Sequence, residues 1–176
     1  VELIYPLPIV LVTCSDLSGK NNIITIAWTT NLSRSPVCLG ITIGKGKYSI
    51  SLIKETMEFG VNIPTKDLIT QIDKCGYFHG NEVDKFEITK FTKKDSELIL
   101  PKLIEECPIN IECKVLNILD IGTSTFFIGQ VLNVHVDEDI LINESTIDFK
   151  KINPIMYIQK KYFGLGDFLG DRGSFV

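Results

Sequence analysis

The chain has 176 residues and a formal net charge of −4, from 18 lysines and arginines against 22 aspartates and glutamates. That length fits one domain over residues 1–176, and a hydrophobic share of 44% is enough for a core and excludes a disordered chain. The acidic balance offers no footprint for nucleic acid.

Charged residues such as Asp16, Lys20, Arg34 and Lys45 interrupt every apolar run before it reaches the roughly 18 residues of a membrane span. The opening VELIYPLPIVLVTCSD carries no basic segment ahead of its apolar run, so no leader is expected and the cytoplasm is the default location. Five cysteines without a CxxC pair argue against a disulfide framework or a zinc ribbon and read as reduced thiols. Isoleucine occurs 26 times and alanine once, a surplus of β-branched residues that favours strands.

Taken in chain order, LPIVLVTC (7–14) is an apolar run of strand length closed by the turn cluster at 15–19, and the run 23–32 is expected to pair with it as a hairpin. VCLGITI (37–43) is nearly continuous in apolar character, as in a strand covered on both faces. From Ser49, a candidate N-cap, Ile50, Ile53 and Met57 recur at helical spacing, with Gly60 as the stop. FGVNI (59–63) reads as a strand. Thr65 is placed to cap a second helix that carries Leu68, Ile69 and Ile72 and ends by Gly76.

Residues 80–108 read as loops with short strands or a turn of helix. Strands at 109–119 and 124–136 follow, joined by Asp120-Ile121-Gly122-Thr123 as a hairpin. A charge cluster at 137–139, a short apolar segment at 155–158 and the glycine-punctuated tail YFGLGDFLGDRGSF complete the chain. Six or seven strands with two short helices favour a closed or partly open antiparallel barrel over a doubly wound sheet.

GxSxG, P-loop, HExxH and GxGxxG motifs are all missing. Histidine occurs twice, at His79 and His135, and His135 reads as an exposed strand residue. A chain this poor in catalytic side chains can still run redox chemistry if a cofactor brings the reactive atoms. Two segments qualify as a binding surface. In NIITIAWTTNL (22–32), Thr25, Thr29, Thr30 and Asn31 surround the single tryptophan, Trp28; this is either an amphipathic strand with a partly buried indole or a wall for a planar heteroaromatic ring. In GKGKYS (44–49), Lys45, Gly46, Lys47 and Ser49 follow a strand and open a helix, which makes either a solvated turn or a monophosphate cradle.

The chain resembles the flavin reductase-like family of FMN-binding split barrels, in its flavoredoxin-like branch. The resemblance rests on PIVLVTC (8–14), NIITIAW (22–28), LSRSP (32–36), GKGKYSISLIKETMEFGVNIPT (44–65), CGYFHGNEVDKF (75–86), IECKV (111–115) and the tail YFGLGDFLG. It implies a mainly β, Greek-key split β-barrel with short peripheral helices and a homodimer with FMN held noncovalently near the subunit interface. Electrons would pass from NADH, NADPH or a protein donor through FMN to an acceptor. The positions carried over are Thr25, Ala27, Trp28, Thr29 and Thr30 at the ring, Lys45, Gly46, Lys47 and Ser49 at the phosphate, and Asn62 and Lys85 near the flavin.

Where the family has a second proline this chain has Ser35, and where it often has serine this chain has His79, which is either a loop substitution or a donor to the reduced ring. Cys75 reads as a structural thiol or a redox thiol. The competing interpretation is a noncatalytic binding protein for FMN or another phosphorylated planar ligand.

Overall fold

The computed structural model describes residues 3–144 and 146–172. In chain order it contains β1 (Leu7–Pro8), β2 (Val10–Ser15), β3 (Asn21–Ile26), β4 (Thr29–Arg34), β5 (Val37–Gly44), α1 (Tyr48–Thr56) and β6 (Glu58–Ile63). A 3₁₀ turn (Lys66–Leu68) leads into α2 (Ile69–Tyr77) and α3 (Lys85–Thr89), followed by β7 (Lys93–Lys94), β8 (Leu103–Ile104), β9 (Ile109–Ile121), β10 (Ser124–Val136) and a second 3₁₀ turn (Glu138–Ile140). Beyond these lie β11 (Leu141–Asn143), β12 (Thr146–Ile147), α4 (Phe149–Ile152), β13 (Met156–Ile158) and β14 (Lys161–Phe163).

Seven strands form one antiparallel sheet in the order β3-β2-β6-β9-β10-β5-β4. The hairpin of β2 and β3 is present as expected, with Leu11 opposite Thr25 and Val12 opposite Ile24. The run 23–32, however, is two strands. The chain turns at Ala27 and Trp28, and β4 pairs with β5 at the far edge, Thr29 opposite Ile41. Two backbone bonds build this corner: Thr29 N–H donates to Ala27 O at 3.1 Å, and Thr42 N–H donates to Trp28 O at 2.8 Å. The two edges of the sheet are therefore consecutive in sequence, and the sheet curls to let two residues bridge them.

Strand β2 explains the curl's interior. All six of its residues are buried. With period two, Val10, Val12 and Cys14 enter one core with Ile41, Ile53, Phe59 and Phe127, while Leu11 enters a second with Ile23, Ile72, Phe86 and Ile104, under α2 and α3. Gly129 in β10 makes room for the first core: a Cβ there would lie 2.5 Å from Phe59 Cζ.

The helix boundaries differ from the expected ones. Lys47, not Ser49, is the N-cap of α1, and Ser49 is buried because its Oγ accepts from Asn22 Nδ2 at 2.9 Å. Met57, at φ +57°, stops α1 by donating its N–H to Ile53 O, whereas Gly60 lies inside β6. Thr65 precedes the 3₁₀ turn without a side-chain cap bond, and α2 runs one residue past Gly76. In the 80–108 stretch Asp84 caps α3 by accepting from Phe86 N–H and Glu87 N–H. The β9–β10 hairpin has the expected turn, with Gly122 at φ +53°.

Candidate functional site

The corner and the two helices beside it frame three depressions. One cleft of about 400 Å³ has Thr25, Ala27 and Gly76 with Ile9, and is walled by Trp28, Tyr77, Tyr157 and Tyr162, with Asp73 as its one carboxylate. Thr25 Oγ1 donates to Ile72 O at 2.6 Å, which fixes β3 against α2. The opposite wall is the β13–β14 hairpin, held to α2 by Tyr162 Oη donating to Asp73 Oδ1 at 3.0 Å. Burial, then the Asp73 carboxylate, pushes the Tyr162 phenol up to about 12, so it remains a neutral donor at physiological pH.

A second cleft, about 470 Å³ and apolar, lies on the other side of the indole between Trp28, Thr29, Thr30, Thr42, Phe126 and the early residues Leu3, Ile4 and Leu7. The five expected ring positions are thus divided. Trp28, 47% exposed, stands between the clefts. Thr29 Oγ1 donates to Gly40 O and Thr30 Oγ1 to Asn31 O, so both hydroxyls have their protons in use.

The third depression is a narrow recess lined by Asn22, Ile24, Lys47, Tyr48, Ser49, Gly76, Phe78, His79, Gly80 and Lys85. Gly76 belongs to both this recess and the Thr25 cleft, so the two are neighbours across one residue. Lys85 is 3% exposed and its Nζ donates to Cys75 O at 2.7 Å. Burial holds the Lys85 ammonium below its ordinary range, and the charge of Lys47 pushes the same way. No carboxylate stands in the lining, so two lysines face the same space without a protein counterion there. The start of α1 adds N–H groups without a side-chain cap and without an acidic residue in its first turn.

Asn22 Oδ1 is buried there without a partner. A half-turn of the carboxamide exchanges the two atoms, presenting an N–H₂ to the recess while Ser49 Oγ–H donates to Oδ1. Gly80 is required for this approach, since a Cβ at position 80 would lie 2.1 Å from Asn22 Oδ1. The donors and cations of the lining suit a phosphate in kind, while the recess as it stands has about 10 Å³ of free space, room for roughly one water, so a phosphate enters only as the exposed Lys47 and His79 side chains swing aside.

Other expected residues fall elsewhere. Lys45 and Gly46 form the turn before the recess, where Lys45 N–H donates to Thr123 O and Gly46 sits at φ +85°. Asn62 is fully buried and internally satisfied: its Nδ2 donates to Leu11 O and Thr13 Oγ1, and its Oδ1 accepts from Ile104 N–H and Asn110 Nδ2. It ties β6 to its neighbours and has no group to spare for a ligand. Cys75 is buried with its thiol pushed up to about 12 by burial, the state of a structural cysteine. His135 is not a free strand residue; its Nε2 lies 2.6 Å from Oε1 of the fully buried Glu112. His79 lines the recess and not the Trp28 cleft.

The model of the flavin reductase-like domain matches residues 3–166, a span that takes in the recess and both clefts. The chain belongs to the flavin reductase-like domain family. The flavoredoxin of Desulfovibrio vulgaris (Miyazaki F) has the same fold as this flavin reductase-like chain, with a TM-score of 0.91 at 28% identity over 99% of this chain and 94% of that one. The flavoredoxin from Methanosarcina acetivorans gives 0.90 at 30% identity over 98% and 91%. A protein of Archaeoglobus fulgidus with no assigned function is 35% identical over 151 residues, 85% of this chain and 83% of its own length. The mainly β split barrel expected of a flavin reductase-like domain is the fold observed.

Sequence reasoning missed Asp73, Tyr157 and Tyr162, which reach the cleft only through the distant β13–β14 hairpin, and Asn22, whose hydroxyl-rich neighbourhood drew attention to Trp28 instead. Among the described residues no helix is long and apolar enough to cross a membrane, and no cluster of metal ligands is present.

Proposed function

We propose that the chain binds FMN noncovalently and passes electrons from NADH, NADPH or a protein donor through it to an acceptor. The observation that carries this reading is the contiguity of an anion recess with an aromatic cleft across Gly76. Such neighbours suit a ligand with a phosphate at one end and a planar ring at the other. Membership of the flavin reductase-like family and the likeness to two flavoredoxins support it.

Lys47, the Asn22 amide and the start of α1 hold the phosphate, and the buried Lys85 stands behind it, its charged form favoured by the anion it would face. Trp28 covers one side of the ring cleft and shields it from water, while Thr25, its proton committed to Ile72 O, presents an acceptor oxygen only. The Tyr162–Asp73 bond fixes the far wall. Bound FMN would supply the hydride and one-electron chemistry that no side chain here provides.

Exposed Leu32, Val37, Leu116, Leu119 and Ile121 on β4, β5 and β9 support a homodimer, to be read by sedimentation. The deciding test is the absorbance spectrum of the purified protein with FMN, then anaerobic addition of NADH and NADPH separately. Bleaching by either identifies a nicotinamide-dependent reductase. Bleaching only by a chemical reductant identifies an electron carrier with a protein donor. Failure to bind FMN overturns the proposal.

A further inference from the structure

The anion recess contains one more nitrogen base than phosphate binding by Lys47 and Lys85 requires. His79 follows α2 and is held by a tight turn in which Glu82 N–H and Val83 N–H both donate to His79 O, at 3.0 and 3.2 Å. The next residue, Gly80, packs so closely on the Asn22 carboxamide that no side chain fits between them. The turn is therefore seated on the floor of the recess and brings the imidazole to its rim with little backbone freedom. Opposite it stand Lys47 and the start of α1, and Lys85 lies beneath.

Several features separate this from a chance surface histidine. The buried Asn22 carboxamide, with one end unpartnered, lines the same recess and offers it an N–H₂ once turned over, and every charged lining residue is a cation. Lys47 and Lys85 line the same recess with no carboxylate in its lining, so an anion placed there meets two cations and no competing acid. A phosphomonoester offers three terminal oxygens, each able to accept more than one hydrogen bond, so Lys47, the Asn22 amide and the start of α1 leave acceptor sites for a further donor.

We propose that His79 is a ligand of the phosphomonoester, donating an imidazole N–H to a terminal oxygen. Its place is at the phosphate end of the cofactor, and it does not reach the reacting ring. The inference rests on the FMN reading. It deepens that reading by assigning this chain's histidine a part in retaining the cofactor, in discrimination between FMN and the phosphate-free riboflavin.

The test titrates FMN and riboflavin separately into the full chain by flavin fluorescence, for the wild type, His79→Ala and His79→Lys, with ³¹P spectra of bound FMN alongside. His79 is exposed, so the variants retain the fold, and circular dichroism checks this. Loss of one charge-assisted hydrogen bond is expected to weaken FMN about tenfold in His79→Ala, leave riboflavin unchanged and move the ³¹P resonance, with His79→Lys recovering most of the preference. An unchanged FMN-to-riboflavin ratio and ³¹P resonance in His79→Ala overturns the assignment, and so does an equal loss for both ligands. A wild-type chain that shows no preference for FMN over riboflavin overturns the phosphate reading beneath it.

Discussion

Removing the Glu112 carboxylate by Glu112→Ala is expected to destabilise the fold by about 3–5 kcal/mol, the range for taking one partner out of a buried, hydrogen-bonded contact that includes an ionised group. The side chain has no exposed surface; Oε1 accepts from Glu97 N–H at 2.9 Å and meets His135 Nε2 at 2.6 Å, while Oε2 accepts from Leu98 N–H at 2.7 Å. Each such bond contributes about 1.5–3 kcal/mol, and the cost of keeping a carboxylate out of water offsets part of their sum. Alanine leaves two N–H groups and an imidazole without their acceptor. At roughly 2–4 °C per kcal/mol for a chain of this size, the unfolding midpoint drops by about 6–20 °C.

Burial pushes the Glu112 carboxyl up, but Glu97 N–H, His135 and Leu98 N–H together hold it below its ordinary range. A carboxyl lower in the folded than in the unfolded state stabilises the fold above the unfolded value, and that contribution is lost as pH falls through the folded one. The wild type is therefore expected to lose stability below about pH 4 more steeply than Glu112→Gln, which has no charge to titrate. Urea unfolding of the three proteins between about pH 3 and pH 7 reads both effects. A loss under about 1 kcal/mol in Glu112→Ala would refute the reasoning, because it would show the pair to be no stronger than a surface contact.

Lys47→Ala is expected to weaken FMN about tenfold and leave riboflavin nearly unchanged in equilibrium titrations, since only the phosphorylated ligand meets the recess. Trp28→Ala is expected to weaken both ligands and shift the flavin absorption bands; an unchanged spectrum would place the indole away from the ring. Gly80→Ala, which forces a Cβ onto the buried Asn22 carboxamide, is expected to weaken FMN more than riboflavin and to lower the unfolding midpoint, by roughly the 2–4 °C per kcal/mol of a chain this size.

Much of the fold was legible. The β9–β10 hairpin announces itself through two long β-branched runs around Gly122, and β2 and β5 through continuous apolar character. The break at Ala27–Trp28 was not legible, because no glycine or proline marks it and the threonines beyond keep the strand pattern; the corner is imposed by backbone bonds from β5, as Thr42 N–H donates to Trp28 O. Ser49 has the right residue type for a cap, yet Asn22, 27 residues away, claims it. Asn62 lies in a motif that suggested a flavin contact, and its hydrogen bonds are all spent within the sheet. Lys47, Ser49, Lys85 and His79 line one recess although the sequence reading put only Lys47 and Ser49 together, because the convergence depends on α1, α2 and α3 meeting over β3, which local pattern cannot supply.

The corner between β3 and β4 bears on the order of folding. The hairpins β2–β3, β4–β5 and β9–β10 join neighbours in sequence and close quickly, whereas Leu11 opposite Asn62, Phe59 opposite Cys113 and Ile41 opposite Phe127 are pairings across long loops and come slowly. The residues around Trp28 lie within the earliest hairpins, but they face one another across a cleft only after the central strands have joined. An early, partly paired chain thus contains every element of the corner and no place for a flavin, so cofactor capture is expected to report the final folding step and not to guide the first.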